Sequence, residues 1–178
     1  KDENILRQAQ DDKRIEWKTI LPQSKLNADH EHFFEDEIKM MENTASNLTQ
    51  YSFRLVRDQD MLEQRTPVFL VGSGPSLDKD IPYIKKWRDR VILVSCGTAL
   101  GILLKSGMTP DIHVENENVS LVARILGDAA GHYDLSKIRL MATTTVTPEI
   151  GALFSSVWFY FRGGLSSSYL LGADEKPL

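Results

Sequence analysis

Pro67-Val-Phe-Leu-Val-Gly-Ser-Gly-Pro-Ser-Leu77 is the stretch on which the reading of this chain turns. Its first half is a continuous apolar run, Pro67 to Val71, that stops at a glycine, as a strand buried on both faces of a parallel sheet should. Gly72 and Gly74 have no Cβ, so the backbone can turn sharply there and come close to a ligand. Pro75 lacks an N–H and fixes φ, and Ser76 offers a hydroxyl as well as an N–H. The unpaired N–H groups of the helix that follows, at its positive dipole end, would face that ligand. The turn therefore reads as an anion site, most simply for a nucleotide phosphate; the alternative is a tight strand-to-helix turn with no ligand.

Outward from this turn the texture alternates. Asp78 to Arg88 reads as a helix with Ile81, Ile84 and Trp87 on one face, and Val91 to Val94 as a second buried strand. Thr98 to Lys105 reads as a second helix, closed by Gly107 in the C′ position. Asp111 to Glu115 is a third strand, followed by a helix from about Val119 to Ala130. Ile138 to Ala142 and Val157 to Phe161 make a fourth and a fifth strand. Strands alternating with helices imply parallel βαβ units with right-handed crossovers. The expected fold is α/β, a Rossmann-like, mainly parallel sheet with flanking helices.

Before Thr66 the character differs. Residues 1–63 are rich in charged residues and Gln, have no glycine and only one proline, Pro22. Phe34, Ile38, Met41, Ala45, Leu48, Leu55 and Leu62 fall at spacings of three, four and seven, which predicts one long helix with an apolar stripe, capped at Asn27 or Asp29. The stripe is read as packing on its own domain rather than on a partner. A shorter helix carrying Ile5, Ile15 and Trp17 is expected before Pro22. The division is thus 1–65, an N-terminal helical segment, and 66–178, a Rossmann-like nucleotide-sugar-binding domain.

The 178 residues, 42% hydrophobic and 26% charged, suit a soluble globular protein. A formal net charge of -4 and a pI near 5.6 argue against nucleic acid as a partner. No apolar run approaches the roughly 20 residues that span a bilayer, and Lys-Asp-Glu-Asn does not begin a signal peptide. One cysteine, Cys96, allows no intrachain disulfide. These features lead to a cytoplasmic expectation, and the missing initiator methionine to that of a fragment. Asn47-Leu48-Thr49 fits a glycosylation sequon and is read as chance.

The turn is not a dinucleotide fingerprint, because Leu77 stands where a third small residue belongs and Ser95-Cys96-Gly97-Thr98 replaces the acidic residue expected after the second strand. No Walker A sequence is present. A second constellation, Glu115-Asn-Glu-Asn118, lies at the carboxyl end of the third strand, where such folds bind ligands. Glu117 there suits a base, a sugar-hydroxyl acceptor or a cation ligand, and Asn116 and Asn118 suit polar edges of a ligand. The competing reading is that Asn118 or Ser120 caps the next helix. His113 and Cys96 are read as structural, and His30 and His32 lack the partners of a zinc site. Thr143-Thr-Thr145 and Arg162-Gly-Gly164 are weaker candidates for the same cleft.

Taken together, Val68 to about Gly164 resembles the motility-associated-factor (Maf) family of flagellin glycosyltransferases, which shares a domain with archaeal 6-hydroxymethylpterin diphosphokinase-like proteins. The most specific segments are Gly72 to Leu77, Ser95 to Leu100 and Pro110 to Glu117. The first also looks like the turn of bacterial sialyltransferases that use CMP-activated sialic acid. The resemblance implies transfer of a nonulosonic acid, of the pseudaminic or legionaminic type, from its CMP form to Ser or Thr of flagellin, with flagellin as the protein partner. It places Gly72, Gly74, Ser76 and Leu77 around the phosphate and Glu117 with its neighbours facing the sugar or base; Ser73, Pro75, Ser95, Thr98, Glu115, Asn116, Asn118 and Thr143 are the further substrate-binding candidates, and Glu117 is the candidate catalytic base. No metal ligand is assigned, and a divalent-metal requirement is left open. The kinase-like relatives carry an aspartate-rich motif after Pro-Asp where this chain has Glu-Asn-Glu-Asn, which favours the transferase over an ATP-dependent pterin diphosphokinase; a non-catalytic flagellin-binding scaffold is the third reading. Because the family pattern continues past Leu178, the domain is expected to be truncated, able to bind without necessarily catalysing.

Overall fold

The computed structural model describes the backbone of residues 28–57 and 65–170, with side chains from residue 34 onward within those ranges. The expected helix with Ile5, Ile15 and Trp17, the side chains of Asn27, Asp29, His30 and His32, and Leu62 lie outside the described residues.

Helix α1 (Ala28–Gln50) is followed by strand β1 (Phe53–Leu55), β2 (Val68–Val71), α2 (Leu77–Trp87), β3 (Ile92–Cys96), α3 (Ala99–Lys105), β4 (Ile112–Glu115), α4 (Ser120–His132), β5 (Arg139–Thr143) and β6 (Ser156–Tyr160). The strands form one sheet in the order β1-β6-β5-β4-β3-β2, and every neighbouring pair is parallel. This is the expected α/β fold. From β2 to β6 each crossover moves one strand in the same direction, so right-handed connections place α2, α3 and α4 on one face. Packing agrees. Leu77 and Ile84 of α2 and Leu103 of α3 meet Val71 and Leu93, while Leu100, Leu104 and Leu126 meet Leu140, Ala142, Val157 and Phe159.

Local chemistry sets the element ends. Asp78 and Asp80 in the first turn of α2, and Lys85 and Lys86 in its last, complement the helix dipole. Gly107 has φ 76°, its N–H bonds the carbonyl of Leu104, and the N–H of Met108 bonds that of Leu103, each at 2.9 Å. That is a Schellman closure, and it bears out the expected C′ glycine.

Two expectations are corrected. The helix does not run on to Leu55. It ends at Gln50, and Phe53–Leu55 pairs with Val157–Phe159 as an edge strand, with the Phe53 ring 5.6 Å from that of Phe159. The helical spacing of Leu55 was a weak local preference, and burial against the sheet overrides it. Nor is β2 buried on both faces. It lies at the other edge, where Val68 and Leu70 are 53% and 71% exposed. An apolar run shows that a strand belongs in a core-forming sheet but not how many neighbours it has.

Candidate functional site

The glycine turn leaves β2 at its carboxyl end and enters α2. Gly72, Ser73, Gly74, Pro75 and Ser76 are all exposed. The Leu77 N–H bonds the Gly74 carbonyl at 3.0 Å, and the N–H groups of Lys79 and Asp80 turn back to the Ser76 carbonyl. Those of Ser73, Gly74 and Ser76 have no backbone acceptor among the described residues. Neither Gly72 nor Gly74 has a positive φ, and a Cβ on either would meet nothing within 4 Å. The fold does not itself need glycine at these two positions. What their missing side chains provide is open space beside unpaired N–H donors. Leu77 is different: it is 4% exposed and packed in the core with Ile84 and Leu93. A cleft of about 490 Å³ beside the turn and β2 is lined by Leu70, Gly72, Ser76, Leu77, Asp80 and Tyr83 among others.

Parallel pairing brings the ends of β3, β4, β5 and β6 alongside. Neighbouring strands lie about 4.8 Å apart, so the loop after β4 sits roughly 10 Å across from the turn. Asn116 and Glu117 in that loop are exposed, as is Thr98 after β3, while Asn118 is half-buried. The Tyr160 hydroxyl, from β6, donates to the side-chain oxygen of Asn116. Burial raises the Tyr160 pKa, against the lowering effect of Arg162 and of the Asn116 bond.

Three expected contact residues lie beneath this surface rather than in it. Ser95 is fully buried, with its hydroxyl 3.0 Å from His113 Nδ1 and 3.4 Å from the Ile112 carbonyl. Thr143 is also fully buried, its hydroxyl shared with that of Thr145 at 2.9 Å and aimed at the Asn116 carbonyl at 3.5 Å. Glu115 is 4% exposed. Its Oε1 accepts the N–H groups of Asn116 at 2.8 Å and Glu117 at 3.0 Å, and its Oε2 lies 3.8 Å from His113 Nε2. At that distance the imidazole contact is electrostatic rather than a hydrogen bond. For Ser95 and Glu115 the reason is alternation: with His113 they share the face covered by helices, whereas Thr98, Asn116 and Glu117, beyond the ends of β3 and β4, are exposed.

His113 is fully buried and stacked on Phe154 at 5.8 Å, with Nδ1 bonded to Ser95 and Nε2 without a hydrogen-bond partner. Cys96 is half-buried, and burial, then the Glu115 charge, raises its thiol pKa, which opposes the thiolate a nucleophile needs. Neither Asn118 nor Ser120 caps α4: Val119 holds the cap position, with no side-chain bond. Among the described residues no three His, Cys, Asp or Glu side chains gather as a cation site. None of the described helices is long and apolar enough to cross a membrane.

The sequence reading missed the polar seam under the crevice. Asn43, Thr44 and Asn47 are buried polar residues of α1, and they bind the turn after β5: Asn43 to the Thr145 carbonyl, Asn47 to those of Thr144 and Val146, and Thr44 to the Thr144 hydroxyl. Their i, i+1, i+4 spacing, beside the apolar stripe, was the available signal.

Residues 38–176 match the family described as 6-hydroxymethylpterin diphosphokinase MptE-like. The chain belongs to the MptE-like family. In fold and sequence it is also similar to the Maf glycosyltransferase from Magnetospirillum magneticum AMB-1, with 34% identity and a TM-score of 0.72 over 79% of this chain. The chain spans 22% of that structure's length. Both halves of the expected resemblance, Maf and the pterin-kinase-like domain, are thereby met. Among curated proteins, none matches the chain.

Proposed function

We propose that this MptE-like chain is the donor-binding part of a glycosyltransferase that moves a nonulosonic acid from a CMP donor to Ser or Thr hydroxyls of flagellin. The observation that carries the reading is the 34% identity to a Maf glycosyltransferase over 79% of this chain. The chemistry of the crevice supports it. Exposed N–H groups of Ser73, Gly74 and Ser76, at the positive end of α2, suit a phosphate. In the transfer, the bond from the anomeric carbon to the CMP phosphate oxygen breaks, the new bond forms from the acceptor oxygen, and the acceptor proton passes to a base. The developing charge on the departing phosphate is what those N–H groups stabilise. Glu117, exposed in the loop opposite the turn, is the candidate base.

Calorimetric titration with CMP, with ATP and Mg²⁺ in parallel, tests the reading. Binding of CMP that Gly74→Val weakens places the nucleotide at the turn; the substitution suits the purpose because a Cβ at Gly74 meets no protein atom within 4 Å. Glu117→Gln should abolish transfer to flagellin while sparing CMP binding, and full activity in that variant would remove Glu117 from the role. The second reading, an ATP-dependent pterin diphosphokinase, draws on the family description and predicts magnesium-dependent ATP binding tighter than CMP binding.

A further inference from the structure

We propose that Glu115 is the positioning residue of the crevice, its buried carboxylate setting the backbone of the loop from which Asn116 and Glu117 reach a ligand. The crevice being a ligand site rests on the reading above; the hold on the loop does not. A carboxylate that is 4% exposed costs folding free energy unless its oxygens are satisfied. Here one oxygen takes two successive backbone N–H groups, those of Asn116 and Glu117, and the other faces His113 Nε2 at 3.8 Å. That Nε2 is itself buried with no hydrogen-bond partner, while Nδ1 is tied to Ser95 at 3.0 Å. Ser95, His113 and Glu115 thus form a buried polar row across β3 and β4, and it ends on the amides of the loop. Two charge-assisted bonds on adjacent amides leave that loop little freedom at the point where it leaves the strand.

The pattern also separates the two glutamates by task. The Oε1 of Glu115 is committed to two loop amides inside the protein, whereas the carboxylate of Glu117 is exposed and only its N–H is committed. The titratable groups acting on the Glu115 carboxylate are His113 from β4, Cys96 from β3 and Tyr160 from β6.

Amide exchange measured residue by residue on this chain, beside CMP titration, provides the test. Glu115→Gln keeps an acceptor of the same shape and loses the charge; Glu115→Met keeps the shape and loses the acceptor. The exchange rates of the Asn116 and Glu117 amides should rise severalfold in the first and on the order of a hundredfold in the second. CMP affinity should fall about tenfold in the second, while Glu117→Gln leaves both amides unchanged. In the wild type, protection of these two amides should be lost as the pH drops below the ordinary glutamate range. Unchanged protection in Glu115→Met would overturn the proposal, as would loosened amides with unaltered CMP affinity. Should the wild type bind no CMP, the CMP reading falls, and the amide rates alone decide whether Glu115 holds the loop.

Discussion

Asn47 joins two elements through one side chain: its Nδ2 donates to the carbonyls of Thr144 at 2.9 Å and Val146 at 2.8 Å, and the residue is fully buried. Asn47→Ala leaves both carbonyls without a partner and unable to recruit water easily. We expect a loss of about 2–4 kcal/mol in urea unfolding, since each unsatisfied buried group costs about 1–3 kcal/mol. A loss under about 0.5 kcal/mol would mean that the two bonds contribute nothing net. The same burial explains why Asn47-Leu-Thr49 is a sequon only on paper, because a glycan on that nitrogen would break both bonds. Glu115 yields a pH prediction. Burial pushes its carboxyl up, but the His113 imidazole and the amides of Glu117 and Asn116 outweigh it, so its pKa lies below the ordinary 4.5. A depressed carboxyl stabilises the fold above its unfolded pKa, and that contribution is lost as pH falls through the folded value. Acid unfolding of Glu115→Gln should therefore start from lower stability at neutral pH and lose less between pH 4.5 and more acid conditions than the wild type does. Parallel acid titrations of the two proteins would rule out the linkage.

Strand β2 has one neighbour, and its backbone says which groups are free. The Ile92 N–H donates to the Pro67 carbonyl, so residues 67, 69 and 71 direct their backbone groups toward β3 and residues 68 and 70 direct theirs to the open edge. Leu70→Pro should cost this chain no more than about 1 kcal/mol, because the N–H it removes has no strand to bond. Phe69→Pro, one residue away, should cost roughly 3 kcal/mol by deleting a ladder bond and stranding its acceptor. Thermal melts of the two variants check the pair, and equal losses would show that the edge is occupied. The strand, helix and turn boundaries from Val68 onward were legible because short apolar runs end on glycine or polar clusters, and the helices keep their faces and their C′ glycine. Strand β1 was not legible: its three residues are too few to show a period, and Leu55 happened to fall on the helical one.

Across the molecule, a single parallel sheet carries the candidate residues to the carboxyl ends of its strands, with α2, α3 and α4 covering one face of it. If the crevice binds CMP, CMP at a hundred times its Kd should raise the unfolding free energy by about 2.7 kcal/mol, and Gly74→Val should abolish that gain without lowering the stability of the free chain. A thermal shift with CMP that survives Gly74→Val would put the nucleotide elsewhere. Phe159, fully buried where β1, β6 and Tyr51 meet, should cost about 3–5 kcal/mol as Ala, since the sheet around it cannot close the cavity. Local chemistry written along the chain was enough for the α/β alternation and for the glycine turn between a strand and its helix, because each depends on periodicity or on the backbone freedom of a few adjacent residues. Which strand lies at the edge, which glutamate is buried and which is exposed, and that α1 grips the 144–146 turn through asparagines depend on residues up to 102 positions apart meeting in space, and packing alone sets those meetings.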